Sequence, residues 1–383
     1  MTLVRNRRQL LSGNKPFFIC LCLLLLLLMQ ACKAKAPVTE KQAPQIEKQS
    51  TKVEKPKSKP KLPLVQLKKE EDPLLKPLEL ELRLPLAQEQ LSDQLLYERL
   101  QVLEGFLVGF DSLQRRGLPM TIHVVNTAGK AFDSVPNSTA PIIVHYAEEV
   151  FRIYLASENR WFESRPPMEM HTARIVRHAK KENAVIVALT RKTELETRVV
   201  TALQEQHAGV RLLEKRLPSK AEIKAKLVKG RKNLVYIPTP DENFAIHCLK
   251  QLADLQQEYA LEVFGLPNWV NFPTIDPELF AQLPVFVTSA ASVEFNQPGT
   301  QRFQQLFKDK FAGEPQTGAF VAFDHALYIG ERWLDHQQWK AESFKDKSTQ
   351  LAQDFNFFED NDQLINKAVR ILAYREYQFK PIN

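Results

Sequence analysis

Cys32 is the residue whose surroundings specify a chemistry most directly. Arg5, Arg7, Arg8 and Lys15 precede an apolar run from Phe17 to Met29, and Ala31-Cys32 follows. A basic start, an apolar stretch long enough for a secretion signal but short for a membrane span, and a small residue before a cysteine mark a signal peptide over 1–31 and a thiol that receives lipid. Gln30 stands where such sites usually carry a small residue. An amino-terminal membrane anchor with unmodified Cys32 is therefore the alternative. Either reading puts the remaining chain outside the cytoplasm, on the periplasmic side of a bacterial envelope, with the lipid bilayer as a partner. Cytoplasmic nucleotides and nucleic acids are then poor ligand candidates.

Other reactive types are sparse. Cys20 and Cys22 fall in the signal, so Cys248 is left without a disulfide partner, and its apolar setting predicts a small buried hydrophobe. His171 and His178, seven apart, have no third ligand nearby and read as a solvated pair rather than a metal site. Asp354, Asp360 and Asp362 lack the glycine and closing glutamate of a calcium loop and read as a polar turn. The chain has 12 glycines, about 3% against a usual 7% or so. It contains no phosphate-cradling glycine motif and no Gly-x-Ser-x-Gly elbow, so neither an enzyme activity nor a cofactor is expected. What remains are polar residues that follow apolar strand cores and could meet a ligand: Thr190, Thr239, Asp241, Asn268, Trp269 and Ser289, with Asp324 farther on. Trp269 could stack on a sugar or peptide, or lie over a hydrophobic core. Thr239 and Asp241 could equally cap a helix, and Asp324 could be a structural helix residue.

Charge divides the chain. The net charge is +7, of which residues 1–32 carry four and residues 33–69, with eleven lysines and three glutamates, carry eight; residues 70–383 are left at −5. The folded part is mildly acidic, which removes the basic surface that nucleic-acid binding needs. Residues 32–77, rich in Lys and Pro, cannot bury enough surface to fold and form a tether.

Order begins near Leu78. Leu78-Glu-Leu-Glu-Leu-Arg-Leu alternates as a strand. Ser92-Asp93 offers a helix cap, followed by Leu96, Leu100, Leu103, Leu107 and Phe110 at helical spacing. Gly105 and Gly109 on this helix predict a close approach to the sheet. Met120–Val125 is the next strand, and a stretch over 126–168 reads as loop and irregular chain except for Ile142–Val144. From 169 onward helices alternate with apolar strands at Ala184–Leu189, Val210–Leu213, Asn233–Ile237, Leu261–Phe264 and Pro284–Thr288, then come helices at 299–312 and 318–335, and strand patterns near 355–357 and 369–373. That rhythm predicts an α/β fold with open, largely parallel sheets.

Four segments, Leu103-Glu-Gly-Phe-Leu-Val-Gly-Phe-Asp-Ser-Leu113, Asn233-Leu-Val-Tyr-Ile-Pro-Thr-Pro-Asp-Glu-Asn-Phe244, Val263-Phe-Gly-Leu-Pro-Asn-Trp269 and Ala319-Phe-Val-Ala-Phe-Asp-His-Ala-Leu-Tyr328, taken in order, resemble the type 1 periplasmic-binding-protein family, known from branched-chain amino acid receptors of transporters. The resemblance covers most of 78–383 and implies two α/β lobes, with a boundary near 170, closing by hinge motion on a small ligand (an amino acid, peptide or wall fragment) at the carboxyl ends of strands. One departure matters. The family's first lobe continues with βα units whose turns grip an amino acid, and 126–168 shows no counterpart. The first lobe is thus expected to be shortened. A domain that has lost the solute site and recognises an envelope protein or the cell wall, as regulators of peptidoglycan synthesis do with a similar fold, is the second expectation.

Overall fold

The computed structural model describes residues 75–86, 92–127, 138–147 and 149–382. The expected signal, Cys32 and nearly all of the tether lie outside them. The chain starts with β1 (Leu78–Leu84), α1 (Asp93–Arg115), β2 (Met120–Asn126), β3 (Ile142–Ala147), β4 (Val150–Leu155) and β5 (Arg160–Glu163). It crosses to a second lobe and builds α2 (Met168–Lys181), β6 (Val185–Thr190), α3 (Glu194–Gln206), β7 (Arg211–Glu214), α4 (Lys220–Lys224), β8 (Lys232–Ile237), α5 (Glu242–Ala253), β9 (Ala260–Gly265), α6 (Pro277–Ala281) and β10 (Val285–Ser289). It returns to the first lobe with α7 (Pro298–Phe311), α8 (Thr317–His336), the short β11 (Ser348–Thr349) and β12 (Asp354–Phe355), then β13 (Phe357–Asp360) and β14 (Gln363–Asn366). A third crossing ends in β15 (Arg370–Arg375) and β16 (Gln378–Ile382).

The first lobe holds a seven-stranded sheet in the order β13-β14-β5-β4-β3-β1-β2, the second one in the order β16-β15-β10-β9-β8-β6-β7. The fold is the two-lobed α/β arrangement expected, with mixed sheets. In the second lobe β7-β6-β8-β9-β10 are parallel, β15 runs against them, and the edge strand β16, antiparallel to β15, turns back to their direction. Every residue of β6 is buried, as the continuous apolar run Val185–Leu189 requires of a strand covered on both faces.

The first lobe is where sequence and structure part. The expected loop over 126–168 is a three-stranded antiparallel meander: Ala147 pairs with Val150, and Leu155 with Arg160. Its turns escaped notice because no glycine marks them. Glu149 (φ 61°) and Asn159 (φ 51°) supply the left-handed backbone instead. These strands are joined by tight turns, with no helix between them longer than the single turn at 156–158.

Ser92 caps α1 as expected, its Oγ accepting from the Leu95 N–H at 3.2 Å. Gly105 and Gly109 do allow a close approach, but to α8 rather than the sheet. A Cβ on Gly105 would lie 2.1 Å from the Ala319 carbonyl oxygen, and one on Gly109 2.5 Å from the Ala326 Cβ. The two helices lie side by side over one face of the sheet, and their backbones meet where both offer small residues.

The histidines are also not a solvated pair. His171 Nδ1 lies 2.9 Å from Thr288 Oγ1, and His178 Nε2 lies 2.9 Å from Glu262 Oε2, so both anchor α2 to the second sheet. Among the described residues no cluster suited to a metal ion occurs. Cys248 is buried, and Asn361 and Asp362, both at positive φ, turn β13 into β14.

Candidate functional site

The two lobes are joined at 164–167, 290–297 and 367–369, and side chains knot these crossovers together. Ser164 C=O accepts from Gln353 Nε2 at 2.7 Å and Asn366 Nδ2 at 3.1 Å. The Arg370 guanidinium donates to Asp354 (2.6 Å), Ser292 C=O (2.8 Å) and Gln350 C=O (2.9 Å). Beside the knot lies a cleft of about 720 Å³ with walls from both lobes. Phe151, Arg152 and Glu163 of the meander form one wall. His171, Leu266, Asn268 and Ser289 form the other.

Of the residues singled out in the sequence, Asn268 and Ser289 line this cleft. Ser289 Oγ donates to the Ala291 carbonyl at 2.5 Å, which shapes the second crossover. Thr190, Thr239 and Asp241 are brought together, but around a protein group. Arg191 donates to Asp241 Oδ2 (2.6 Å), Thr239 Oγ1 (3.2 Å) and Glu196 Oε1 (3.1 Å), and Thr190 Oγ1 donates to Glu196 Oε2 at 2.9 Å. Glu196 is fully buried. Burial alone would raise its pKa; hydrogen bonds from Thr239, Thr190 and Arg191 outweigh that and hold the carboxyl below its ordinary value. Asp241 caps α5 by accepting the Phe244 N–H at 2.8 Å. That bond, and Arg191 after it, keeps its carboxyl low against the opposing cost of desolvation. The network closes the tops of β6 and β8 rather than presenting free hydroxyls.

Trp269 faces inward, 1% exposed, its Nε1 donating to the Thr239 carbonyl at 3.0 Å. Its ring lies on Gly265, where a Cβ would come within 2.1 Å of the indole. The ring has no face left for a ligand; it holds the turn that carries Asn268. Asp324 is buried in α8 and accepts the backbone N–H groups of Leu351 (3.1 Å), Ala352 (2.6 Å) and Gln353 (2.8 Å), which fixes the segment beneath the knot.

Sequence reasoning missed Arg152, Glu163, Ser164, Arg165 and His171 in the cleft lining. The first four lie in 126–168, which reads as loop from its sequence. The signal available was Pro166-Pro167 ahead of a helix: a rigid break between two elements is where a chain changes lobes. His171 is neutral in this setting, pushed down to about 4 by burial, with the charge of Arg165 adding to the effect.

No protein-family model matches the chain, and no curated protein matches its sequence. Solved structures match its fold. A chain from Rhodospirillum rubrum assigned to branched-chain amino acid ABC transport aligns over 80% of this chain and 100% of its own, at 12% identity and TM-score 0.55. An ABC-type branched-chain amino acid transporter from Rhodopseudomonas palustris aligns over 80% and 96%, at 11% identity and TM-score 0.48. LpoA from Haemophilus influenzae aligns over 81% of this chain and 60% of its own, at 10% identity and TM-score 0.42. Three crossovers, two α/β lobes with a cleft between them, and the Rhodospirillum alignment together give this chain the type 1 periplasmic-binding-protein fold.

Proposed function

We propose that this chain is an extracytoplasmic lipoprotein, cleaved after residue 31 and lipidated at Cys32, whose folded part binds a small ligand between its lobes without turning it over. The observation that carries this reading is the cleft itself: about 720 Å³, within the usual range for small-molecule sites, with walls from both lobes, beside three hinge crossovers. Asn268 and Ser289 are its ligand-facing residues on the second lobe. Thr190, Thr239, Asp241, Trp269 and Asp324 support that wall and the hinge from behind. The test is a thermal-shift and small-angle scattering screen of the full-length protein with amino acids, short peptides, sugars and muropeptides. A binding reading expects one class to raise the melting temperature and reduce the radius of gyration. No response in any class refutes it. Mass spectrometry of the mature amino terminus tests the anchor: a diacylglyceryl mass on Cys32 is expected, and an intact residue 1 refutes it.

A second reading has its own support. The first lobe meets the cleft with an antiparallel meander instead of βα turns, so one wall differs in kind from a receptor built of βα units. A docking domain for an envelope protein or wall polymer fits that change. Cross-linking in intact cells that recovers one protein or muropeptide, lost on substitution of Phe151 or Arg152, would favour it over solute binding.

A further inference from the structure

A second pocket lies at the opposite end of the second lobe's sheet. The cleft is lined by residues beyond the carboxyl ends of β6, β8, β9 and β10. The second pocket, of about 410 Å³, opens at the amino ends of β6, β7 and β8. Buried Ala179, Ala184 and Val185 form its floor. The His207 ring lies on Gly209, where a Cβ would come within 3.2 Å of Nε2. The charged groups of the lining are Lys180, Arg211 and Arg231, all exposed, and no carboxylate joins them. None of the three forms an ion pair among the described residues. Arg211 donates to the Lys226 carbonyl at 3.3 Å, and Arg231 to the Asn183 carbonyl at 3.2 Å and its Oδ1 at 3.3 Å. Neutral oxygens thus hold both guanidinium groups in place and leave their charge uncancelled. Glu182, next to Asn183 in the chain, is taken by Lys232 at 2.7 Å.

Helices α2 and α3 both end at this pocket, and cations near a helix C-terminus offset its negative pole. That role uses only part of the charge. Two poles of about half a charge each leave roughly two of the three positive charges uncompensated. We infer that the pocket binds a phosphate monoester or free phosphate through Lys180, Arg211 and Arg231. Near neutral pH such a group brings close to two negative charges and three acceptor oxygens, enough for two guanidinium forks and an ammonium. A carboxylate brings half that charge and one oxygen fewer. The site lies a sheet's length from the cleft and stands whether or not the cleft takes a ligand. A soluble phosphomonoester and a lipid head group ending in one present the same chemistry to it.

The experiment has two arms, both on the full-length protein. In neutral detergent, calorimetry measures binding of inorganic phosphate, glycerol 3-phosphate and acetate. In nanodiscs of phosphatidylcholine, with and without phosphatidic acid, hydrogen–deuterium exchange is followed over 179–185 and 207–211. Phosphate and glycerol 3-phosphate are expected to bind at least about tenfold tighter than acetate, the worth of one further charged hydrogen bond, and to slow exchange in both segments. Protection by phosphatidic acid alone assigns the phosphate to a lipid; protection by the soluble ester assigns it to a free ligand. K180Q and R211Q should each weaken the effect about tenfold. Lys180 is exposed and bonds to no described side chain, so K180Q should melt as wild type does and separates lost binding from lost folding. Acetate binding equal to that of phosphate overturns the assignment. So does phosphate binding unchanged in both variants, or the absence of protection in every condition.

Discussion

Replacing Trp269 by alanine separates a ligand-stacking ring from a structural one. The indole is 1% exposed, lies against Phe272 with ring centroids 5.9 Å apart, and donates to the Thr239 carbonyl. A buried tryptophan removes about 200 Å² from water, about 5 kcal/mol at 25 cal/mol per Å². The orphaned carbonyl adds about 1 kcal/mol, and partial collapse of the cavity returns some of both, so about 4–5 kcal/mol is expected. For a unit of roughly 300 residues melting as one, that is a fall of about 7 °C; for the second lobe melting alone, roughly 140 residues, about 15 °C. W269F keeps most of the ring and should cost about a third as much. Differential scanning calorimetry of the full-length proteins reads both, and two transitions in place of one would show which case applies. A W269A protein that melts within about 2 °C of wild type, whatever its ligand affinity, would falsify the structural role.

Three further outcomes follow from the packing and the titrating groups. G105A places a Cβ 2.1 Å from a backbone oxygen and should destabilise by about 1–3 kcal/mol despite better helix propensity, whereas G318A, whose Cβ meets Val102 at 3.4 Å, should be neutral or stabilising; equal urea midpoints would contradict the contact. His145, His171 and His325 are each pushed down to about 4, chiefly by burial, so the stability they contribute is present above about pH 6.5 and lost on acidification. Asp324, pushed up to about 7 by burial, works the other way by one proton. The net of two protons predicts a loss of about 2–3 kcal/mol per pH unit between pH 6.5 and 4.5, and urea unfolding that is flat across this range refutes it. Burial pushes the Cys248 thiol well above its ordinary range, so Ellman's reagent should label it at the rate of unfolding; rapid labelling of the native protein would show an open path to it.

The parts of the fold that could be read from sequence are those with one physical solution. Val185–Leu189 and Leu234–Ile237 are apolar throughout, and such runs between helices have few places to go but the middle of a covered sheet. The meander was hidden because Glu149 and Asn159 adopt turns that composition assigns to glycine. The site was harder. Thr190, Thr239 and Asp241 follow strands as ligand-gripping residues do, but so do residues that cap helices and anchor an arginine. Nothing in a linear sequence says that Arg191 and Glu196 already occupy them. Arg165 gave the opposite error: a lone cation before two prolines resembles a solvated loop residue until its lobe-to-lobe position is known.

The threefold crossing also fixes an order of assembly. The second lobe's parallel strands come from one continuous stretch, β6 to β10, and can pair as they emerge. The first lobe cannot. Its β1 and α1 appear early, but α8, which covers them through Gly105 and Gly109, begins at Thr317, and the edge strands β13 and β14 follow from Phe357. For the time taken to deliver some two hundred residues, the apolar faces of α1 and the meander stand uncovered beside a lobe already able to fold. A chain exported unfolded would thus have its earliest segment as its last to be sheltered, and that segment is where a holding chaperone would have most to protect.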